Sequence, residues 1–167
     1  ITGLVGSEMC IRDRMNIDLI CVSNKQSDWV IKESKTYLKR LPKWLNVKVT
    51  LVTPVKSRMS VEMKLAAEAQ KIRKKICSED YLIILDSQGF PLTNSYLVGE
   101  FKKLMVDGRA VKMIIGGSDG VDCSLKAEAH SMWSMSKLIF PHTLSFIIFL
   151  EQIYRTTSIL ANHPYHK

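Results

Sequence analysis

The sequence predicts an α/β fold in which a parallel sheet carries helices on both faces. Apolar strands and amphipathic helices alternate along the chain; Tyr81 to Leu85 is a continuous apolar run, and Val111 to Ile115 is predicted as another fully buried strand. Such runs are typical of strands that are buried on both faces of a parallel sheet. With 167 residues, of which 46% are hydrophobic, the chain is long enough for one domain with a substantial core.

The first half of the chain is predicted to contain two strands, each followed by a helix. The strands lie at Asn16 to Val22 and Val47 to Thr53, where Ile, Leu and Val dominate. Residues 29–41 carry apolar side chains on one side and basic ones on the other, which predicts a helix that a proline ends. Ser60 is a suitable N-cap for the second helix, whose apolar residues recur at helical spacing as far as Ile76.

The second half continues the alternation. After the buried strand at residues 81–85, a third helix is predicted around Leu97 to Met105, and the strand at residues 111–115 follows it. Residues 134–142 are predicted to form a short apolar strand that a proline stops at the start of a helix. This final helix, Pro141 to Asn162, is apolar on nearly every side at first, so we expect it to be buried in the core or in a subunit interface.

Residues 1–14 are expected to lie outside the fold. They show neither the pattern of a secretory signal nor an amphipathic pattern, and we interpret them as a read-through or cloning-derived extension. Residues 15–167 then form a single domain. The longest apolar stretch, Leu144 to Leu150, is far below the ~18 residues that cross a bilayer, so no membrane association is expected. The four cysteines are scattered, which favours a cytoplasmic location and predicts no metal site.

The charge balance favours a polyanionic partner. Lys and Arg outnumber Asp and Glu by 24 to 16. Such a surplus is typical of proteins that bind nucleic acid or acidic lipid, although many domains are basic for solubility alone. Basic residues of the helices and the tail are the candidate contacts to a nucleic acid: Lys32, Lys35, Lys39, Arg40, Arg155 and Lys167. For any one of them, an ordinary solvated surface is the simpler interpretation.

Ligands of parallel α/β sheets bind at the carboxyl ends of the strands, so the loops after Leu85 and Ile115 are the most informative. The second of these is the glycine-rich turn Gly116-Gly117-Ser118-Asp119-Gly120, whose backbone can approach a ligand closely. It lacks both the spacing of a dinucleotide fingerprint and the ending of a P-loop, so neither cofactor class is supported. On its own, such a turn is more often a tight connection between a strand and a helix.

The last five residues, His163 to Lys167, contain two imidazoles, a phenol and an ammonium group. Aromatic and basic residues together suit stacking on an unpaired base and pairing with phosphate. A tail without a function is the alternative.

Several short motifs follow one another in a characteristic order from Met15 to Lys167. They are Asp28-Trp29, Tyr37-Leu38, Leu85-Asp86, IIGGSDG at 114–120, Trp133-Ser134, Phe140-Pro141-His142, Glu151-Gln152, Tyr154-Arg155 and the closing HPYHK. In this order and spacing they resemble the RlmH family, the pseudouridine N3-methyltransferases of bacterial large-subunit ribosomal RNA. That family lies within the SPOUT class of knotted methyltransferases.

The resemblance implies an α/β knot fold, with a trefoil knot near the carboxyl end whose loops hold S-adenosyl-L-methionine. By position, the implied cofactor contacts are Leu85, Gly117, Ser136, Lys137, Leu138, Ile139, Phe140 and Pro141. A homodimer is also implied, in which the tail of one subunit approaches the cofactor of the other. The implied substrate is N3 of a pseudouridine in ribosomal RNA, in the large subunit or the assembled ribosome.

Methyl transfer to a ring nitrogen requires alignment of the reacting atoms and removal of the imide proton. The candidate catalytic residues are His142, Tyr165 and His166. His142 has an alternative role as a helix-start or core histidine. For the tail residues, contact with the substrate is the favoured interpretation.

Two positions depart from the family's pattern. Phe146 stands where the last helix usually carries an arginine, and Phe90 stands where a lysine usually follows Gly89. Two other functions stay open at this point: a non-catalytic ribosome-binding module of the same fold, and a related knotted methyltransferase that acts on transfer RNA.

Overall fold

The computed structural model describes residues 14–56 and 58–166, apart from the side chain of His166. Residues 1–13 of the expected extension and the candidate RNA contact Lys167 lie outside the described residues. The catalytic candidate His166 is therefore placed by its backbone alone.

Strands and helices alternate through the described residues, as the sequence predicts. The elements are β1 (Met15–Val22), α1 (Asp28–Arg40), β2 (Leu45–Val52), α2 (Val61–Arg73), β3 (Tyr81–Pro91), α3 (Asn94–Asp107), β4 (Val111–Ile115), α4 (Cys123–Glu128), β5 (Ser131–Ser134) and α5 (His142–Leu160), followed by a short 3₁₀ helix, Pro164–His166. The five strands pair in parallel in the order β2-β1-β4-β3-β5. The predicted parallel α/β architecture is confirmed.

The core has two layers, because successive residues of a strand point to opposite faces of the sheet. On one face, Leu19 and Met113 belong to a buried cluster with residues of α1, α3 and α5. On the other face, Ile20 and Ile114 cluster with residues of α2 and α4. Helices therefore cover both faces, as predicted. Among the described residues, no helix has the length and apolar character that a membrane span requires.

Two helix boundaries show why the local sequence folds in this way. The predicted cap Ser60 accepts a hydrogen bond from the Met63 N–H at 3.3 Å, which satisfies one of the free donors at the start of α2. At the end of α3, Gly108 adopts a left-handed conformation with φ 74°. Glycine reaches this conformation without steric cost, and it commonly ends a helix.

β3 is longer than predicted. It continues past Leu85 to Pro91, and its pairing with β5 shifts register between Leu85 and Phe90. In this extension Gly89 lies directly against β5, because a Cβ there would stand 2.6 Å from the backbone carbon of Trp133. The side chain of Phe90 is 53% exposed, and its ring centroid lies 4.4 Å from that of Tyr96. The extension therefore passes from a close backbone contact to an exposed aromatic side chain within two residues.

The prediction of a strand at residues 134–142 is wrong. The strand β5 lies earlier, at Ser131–Ser134, and residues 135–141 form a loop. The hydroxyls provide the reason. The Ser134 hydroxyl donates to the Ser136 carbonyl at 3.1 Å, and the Leu138 N–H donates to the Ser136 hydroxyl at 2.9 Å. These local bonds compete with the hydrogen bonds of a β-ladder.

The final helix is largely buried, as expected from its apolar sequence. Phe146, which stands at one of the two departures from the family's pattern, is 1% exposed and packs in the same cluster as Leu19. Its side chain is therefore part of the core and is not exposed to a ligand.

Candidate active site

Residues 85–87 within β3 meet the loops that follow β4 and β5, and the three segments line a cavity of about 420 Å³. The walls come from residues 85–87, from residues 115–120 and from the loop that leads into α5. A cavity of this size falls in the range of small-molecule sites, about 300–1,000 Å³. The fold thus brings to one point three segments that are well separated along the chain.

The glycine-rich turn gives this cavity a wall made of backbone. A Cβ at Gly116 would stand 2.5 Å from the carbonyl oxygen of Gly120, closer than real Cβ contacts allow. The Gly120 N–H donates to the Gly117 carbonyl at 3.1 Å, and Gly120 itself has φ 87°. At Gly117, a Cβ would lie 3.3 Å from a methyl group of Val22 at the end of β1. The turn therefore fits closely against the sheet, and residue 116 must be glycine.

Most of the cofactor contacts that the resemblance implied lie in this cavity. The lining includes Leu85, Gly117, Ser136, Leu138, Ile139, Phe140 and Pro141. Lys137 is exposed and is not among the lining residues. Leu138 and Ile139 contribute to the wall but are also 71% and 93% exposed, so they form an apolar rim.

Asp86 and Lys126 form an ion pair beside the cavity that the sequence analysis missed. Asp86 lines the cavity, and its Oδ2 lies 2.6 Å from the Lys126 Nζ on α4. Partial burial opposes the ionised form of this carboxyl. The hydrogen bonds from Lys126 and from the Gln88 N–H outweigh burial and hold the pKa of Asp86 below its ordinary value. The pair therefore links β3 to α4 at neutral pH.

Of the two catalytic candidates whose side chains the structure describes, His142 and Tyr165, only His142 lines the cavity. It is the first residue of α5, it is half-buried, and it lines the cavity together with Ser145. An imidazole in this position can accept a proton from a group bound in the cavity.

Tyr165 contacts α5 far from this cavity. Its hydroxyl donates to the Glu151 Oε1 at 3.1 Å, and the Arg155 guanidinium donates to the same oxygen at 2.6 Å. The Arg155 guanidinium carbon also lies 5.0 Å from the centre of the Tyr165 ring. We call Glu151, Arg155 and Tyr165 the tail clasp. At about 1.5 Å per helical residue, Glu151 is roughly 14 Å along α5 from His142.

The tail clasp changes the acidity of the Tyr165 phenol. Burial, followed by the hydrogen bond to Glu151, raises the pKa of Tyr165 above its ordinary value. The phenol is therefore protonated at neutral pH. Within the clasp it is a hydrogen-bond donor and not a general base.

Residues 15–166 match the family model described as "Predicted SPOUT methyltransferase". The chain is 38% identical over 155 residues to the ribosomal RNA large subunit methyltransferase H of Methylobacillus flagellatus, which covers 92% of this chain and 99% of that protein. This chain belongs to that family of SPOUT methyltransferases. Its identity to the proteins of the same name from Dechloromonas aromatica and Saccharophagus degradans is 37% and 38%, again over 92% of this chain.

The remaining described candidates of this SPOUT methyltransferase are exposed or half-buried. Four basic residues are exposed along α1: Lys32, Lys35, Lys39 and Arg40. Arg155 is half-buried and is paired with Glu151 in the tail clasp. Glu151 itself was missed as a contact of the tail. Its spacing of four residues from Arg155 on one helix was an available signal, because such residues face each other.

Proposed function

We propose that this protein transfers a methyl group from S-adenosyl-L-methionine to N3 of a pseudouridine in large-subunit ribosomal RNA. The convergence of residues 85–87 with the loops after β4 and β5 into one cavity carries the proposal. The family supports it, since the relatives described above are named as ribosomal RNA large subunit methyltransferases. We also propose that residues 15–167 are one domain, that their carboxyl-terminal part is tied in a trefoil knot, and that the protein acts in the cytoplasm.

The chemistry of the cavity fits the proposed cofactor. Its walls are mostly backbone, apolar side chains and hydroxyls, which suit an adenine ring and a ribose. Gly116 and Gly117 line the cavity, and a Cβ at either position would meet neighbouring protein atoms, so this wall is formed by the backbone of the turn. The proposed contacts are the eight positions that the resemblance implies, including the exposed Lys137. When bound, the cofactor supplies an electrophilic methyl group on a sulfonium.

The chain's own residues then have to orient the base, exclude water and accept the imide proton. Among the described candidates we assign proton acceptance to His142, because its ring lines the cavity. Tyr165 is better suited to donate a hydrogen bond to the base or to stack on it, since its phenol stays protonated. His166 remains a candidate for contact with the substrate.

A homodimer is part of the proposal. The tail clasp lies roughly 14 Å or more along α5 from the cavity of the same chain, so the tail contributes little to that cavity. Beside the cavity, the side chains of Leu138, Ile139 and Leu144 are exposed and apolar. A second copy that covered this rim would bury apolar surface and could bring its own tail to the cavity.

Two measurements test the proposal. Calorimetric titration of the protein with S-adenosyl-L-methionine should show binding, and the absence of binding would contradict an enzymatic function in favour of a ribosome-binding module. Methyl incorporation is then compared between assembled ribosomes, free ribosomal RNA and transfer RNA. We expect incorporation into the ribosomal substrates, and mass spectrometry of the nucleosides should identify N3-methylpseudouridine. Incorporation into transfer RNA alone would contradict the proposed substrate.

His142→Gln and His166→Ala separate the two histidine candidates. If His142 accepts the proton, His142→Gln should lower single-turnover methylation by about 10²-fold or more while cofactor affinity stays unchanged. An unchanged rate in His166→Ala would remove His166 from the mechanism.

A further inference from the structure

Two groups of exposed basic residues lie at different edges of the sheet. Lys25 lies in the loop after β1, and Lys56 and Arg58 lie in the loop after β2, so all three stand at the carboxyl edge where the cavity opens. We call these three the carboxyl-edge cations. Lys74 and Lys75 follow the end of α2, next to Ile76, which lines a pocket with Asp80 and Leu82 at the amino end of β3. We call these two the amino-edge cations.

The order of the strands places the carboxyl-edge cations near the cavity. β1 is the direct neighbour of β4, and β2 is one strand further. With strands about 4.8 Å apart, the loop after β2 begins roughly 10 Å from the glycine-rich turn. Two contacts confirm the adjacency: Val22 lies against Gly117, and the Ser23 N–H donates to the Val52 carbonyl at 3.0 Å.

The amino-edge cations are farther away. Because α2 runs back from the carboxyl edge over thirteen residues, its end lies about 20 Å from its start. Lys39 and Arg40 lie at the end of α1, which also follows a strand and runs back from the carboxyl edge. RNA whose reacting base occupies the cavity passes over the carboxyl edge, which Lys71 of α2 also reaches, since its Nζ donates to the Thr53 carbonyl at 2.8 Å.

The carboxyl-edge cations are also available to a ligand. Each is exposed, and none of the three forms an ion pair within residues 14–56 and 58–166. The loops that carry them, residues 23–27 and 53–60, contain no acidic residue. Asp28 and Glu62 stand in the first turns of α1 and α2, where the helix dipole stabilises them, and the buried Glu68 of α2 accepts a hydrogen bond from the Val55 N–H at 2.9 Å.

We infer that Lys25, Lys56 and Arg58 bind RNA phosphates and guide the substrate to the cavity, an inference that rests on the proposed function. The loops after β1 and β2 are thus a phosphate-binding surface, and the amino-edge cations serve solubility. Exposed cations that meet phosphates release counterions from the RNA, so the affinity depends steeply on salt.

Two double variants with the same change in net charge test this inference. Lys56→Gln/Arg58→Gln removes two carboxyl-edge cations, and Lys74→Gln/Lys75→Gln removes the amino-edge cations as the matched control. Affinity for assembled ribosomes from cells that lack the gene is measured over a range of salt concentrations. Urea denaturation and titration with S-adenosyl-L-methionine check that both variants fold and keep the cofactor cavity.

The carboxyl-edge variant should bind ribosomes about tenfold more weakly near physiological salt, and its salt slope should fall by about 1.4 to 1.8, the value for two lost phosphate contacts. The amino-edge variant should bind like the wild type. Equal losses in the two variants, or a loss confined to the amino-edge variant, would overturn the inference.

The wild-type protein separates this inference from the proposed function. If it methylates ribosomes and the carboxyl-edge variant keeps its affinity and salt slope, the inference alone fails. If it binds neither the cofactor nor ribosomes, both fail.

Discussion

At the amino ends of the strands, polar side chains pair with one another inside the fold, whereas at the carboxyl ends the chain exposes backbone and leaves a cavity. On β4, the Lys112 Nζ lies 3.4 Å from Asp18 and 3.9 Å from Asp80. Thr50 adds a hydrogen bond of 2.7 Å to Asp18. The cavity at the other end is built mainly from glycine, serine and apolar residues, and Asp86 with Lys126 is the ion pair at its wall.

The difference shows how one sheet serves both stability and binding. Buried charges that neutralise one another leave nothing for a ligand, and removing one partner leaves an uncompensated charge in a region of low polarity. Main-chain groups in a glycine-rich turn have no side chain to cover them, so a bound molecule can use them. Substitutions at the amino end should therefore change mainly the free energy of unfolding, and substitutions at the carboxyl end should change mainly affinity.

The largest effect is expected for Lys112→Met. Because Asp18 and Asp80 are both buried, loss of the ammonium should lower the free energy of unfolding by roughly 3 kcal/mol. Urea denaturation measures this loss. Lys102→Met, which removes an exposed cation from α3, is the control and should change stability by less than about 0.5 kcal/mol. Similar small losses in both variants would show that Lys112 does not neutralise the buried carboxylates.

Gly116→Ala should change cofactor affinity more than it changes the free energy of unfolding. The added methyl would collide with the Gly120 carbonyl, so the turn must shift and cofactor affinity should fall by roughly ten- to hundredfold, about 1–3 kcal/mol. Calorimetric titration with S-adenosyl-L-methionine measures this change. Gly99→Ala is the matched control, because a Cβ at Gly99 meets nothing within 4 Å. If both variants bind the cofactor equally well, the glycine-rich turn is not part of the cofactor site.

Tyr165→Phe tests whether the tail serves the cavity of a second copy. The variant keeps the ring but loses the hydrogen bond to Glu151, which should weaken the tail clasp by about 1 kcal/mol. We expect single-turnover methylation to fall several-fold while cofactor affinity is unchanged. Tyr37→Phe is the control, since the Tyr37 hydroxyl makes no hydrogen bond to the described part of the chain. An unaltered methylation rate in Tyr165→Phe would show that the tail clasp does not contribute to catalysis.

Asp86→Asn should have the smallest effect, and it should depend on pH. Since the pKa of Asp86 is lower in the folded protein, its ion pair stabilises the fold above the ordinary carboxyl pKa, about 4, and this contribution is lost as pH falls through the folded value. The free energy of unfolding of the wild type should exceed that of the variant by about 1 kcal/mol at pH ~7, and the two should be equal in strong acid. Thermal denaturation across pH measures the difference. A gap that persisted in strong acid would contradict this assignment.

The sheet and its main helices could be predicted from the sequence because burial sets their periodicity directly. The six-residue helix α4 could not, since it is too short to show a period. The loop at 135–141 was predicted as a strand because the hydrophobic pattern does not show that the hydroxyls of Ser134 and Ser136 bond to nearby backbone. These bonds compete with the hydrogen bonds of a β-ladder.

For the site, the rule for parallel sheets identified the loops after Leu85 and Ile115. The third segment of the site, residues 136–141, was identified from the family resemblance alone. Neither route revealed that Asp86 pairs with Lys126 or that Tyr165 pairs with Glu151, because each contact joins side chains whose meeting depends on how the helices pack.

The extension of β3 bears on which substitutions its family can accept. At Gly89 the main chain of Trp133 occupies the space of a side chain, and no rotamer can relieve that contact. Phe90 next to it projects largely into solvent. Homologues should therefore keep glycine at the first position and vary in size and charge at the second. Surface chemistry can thus change at residue 90, although the neighbouring residue 89 cannot accept a side chain.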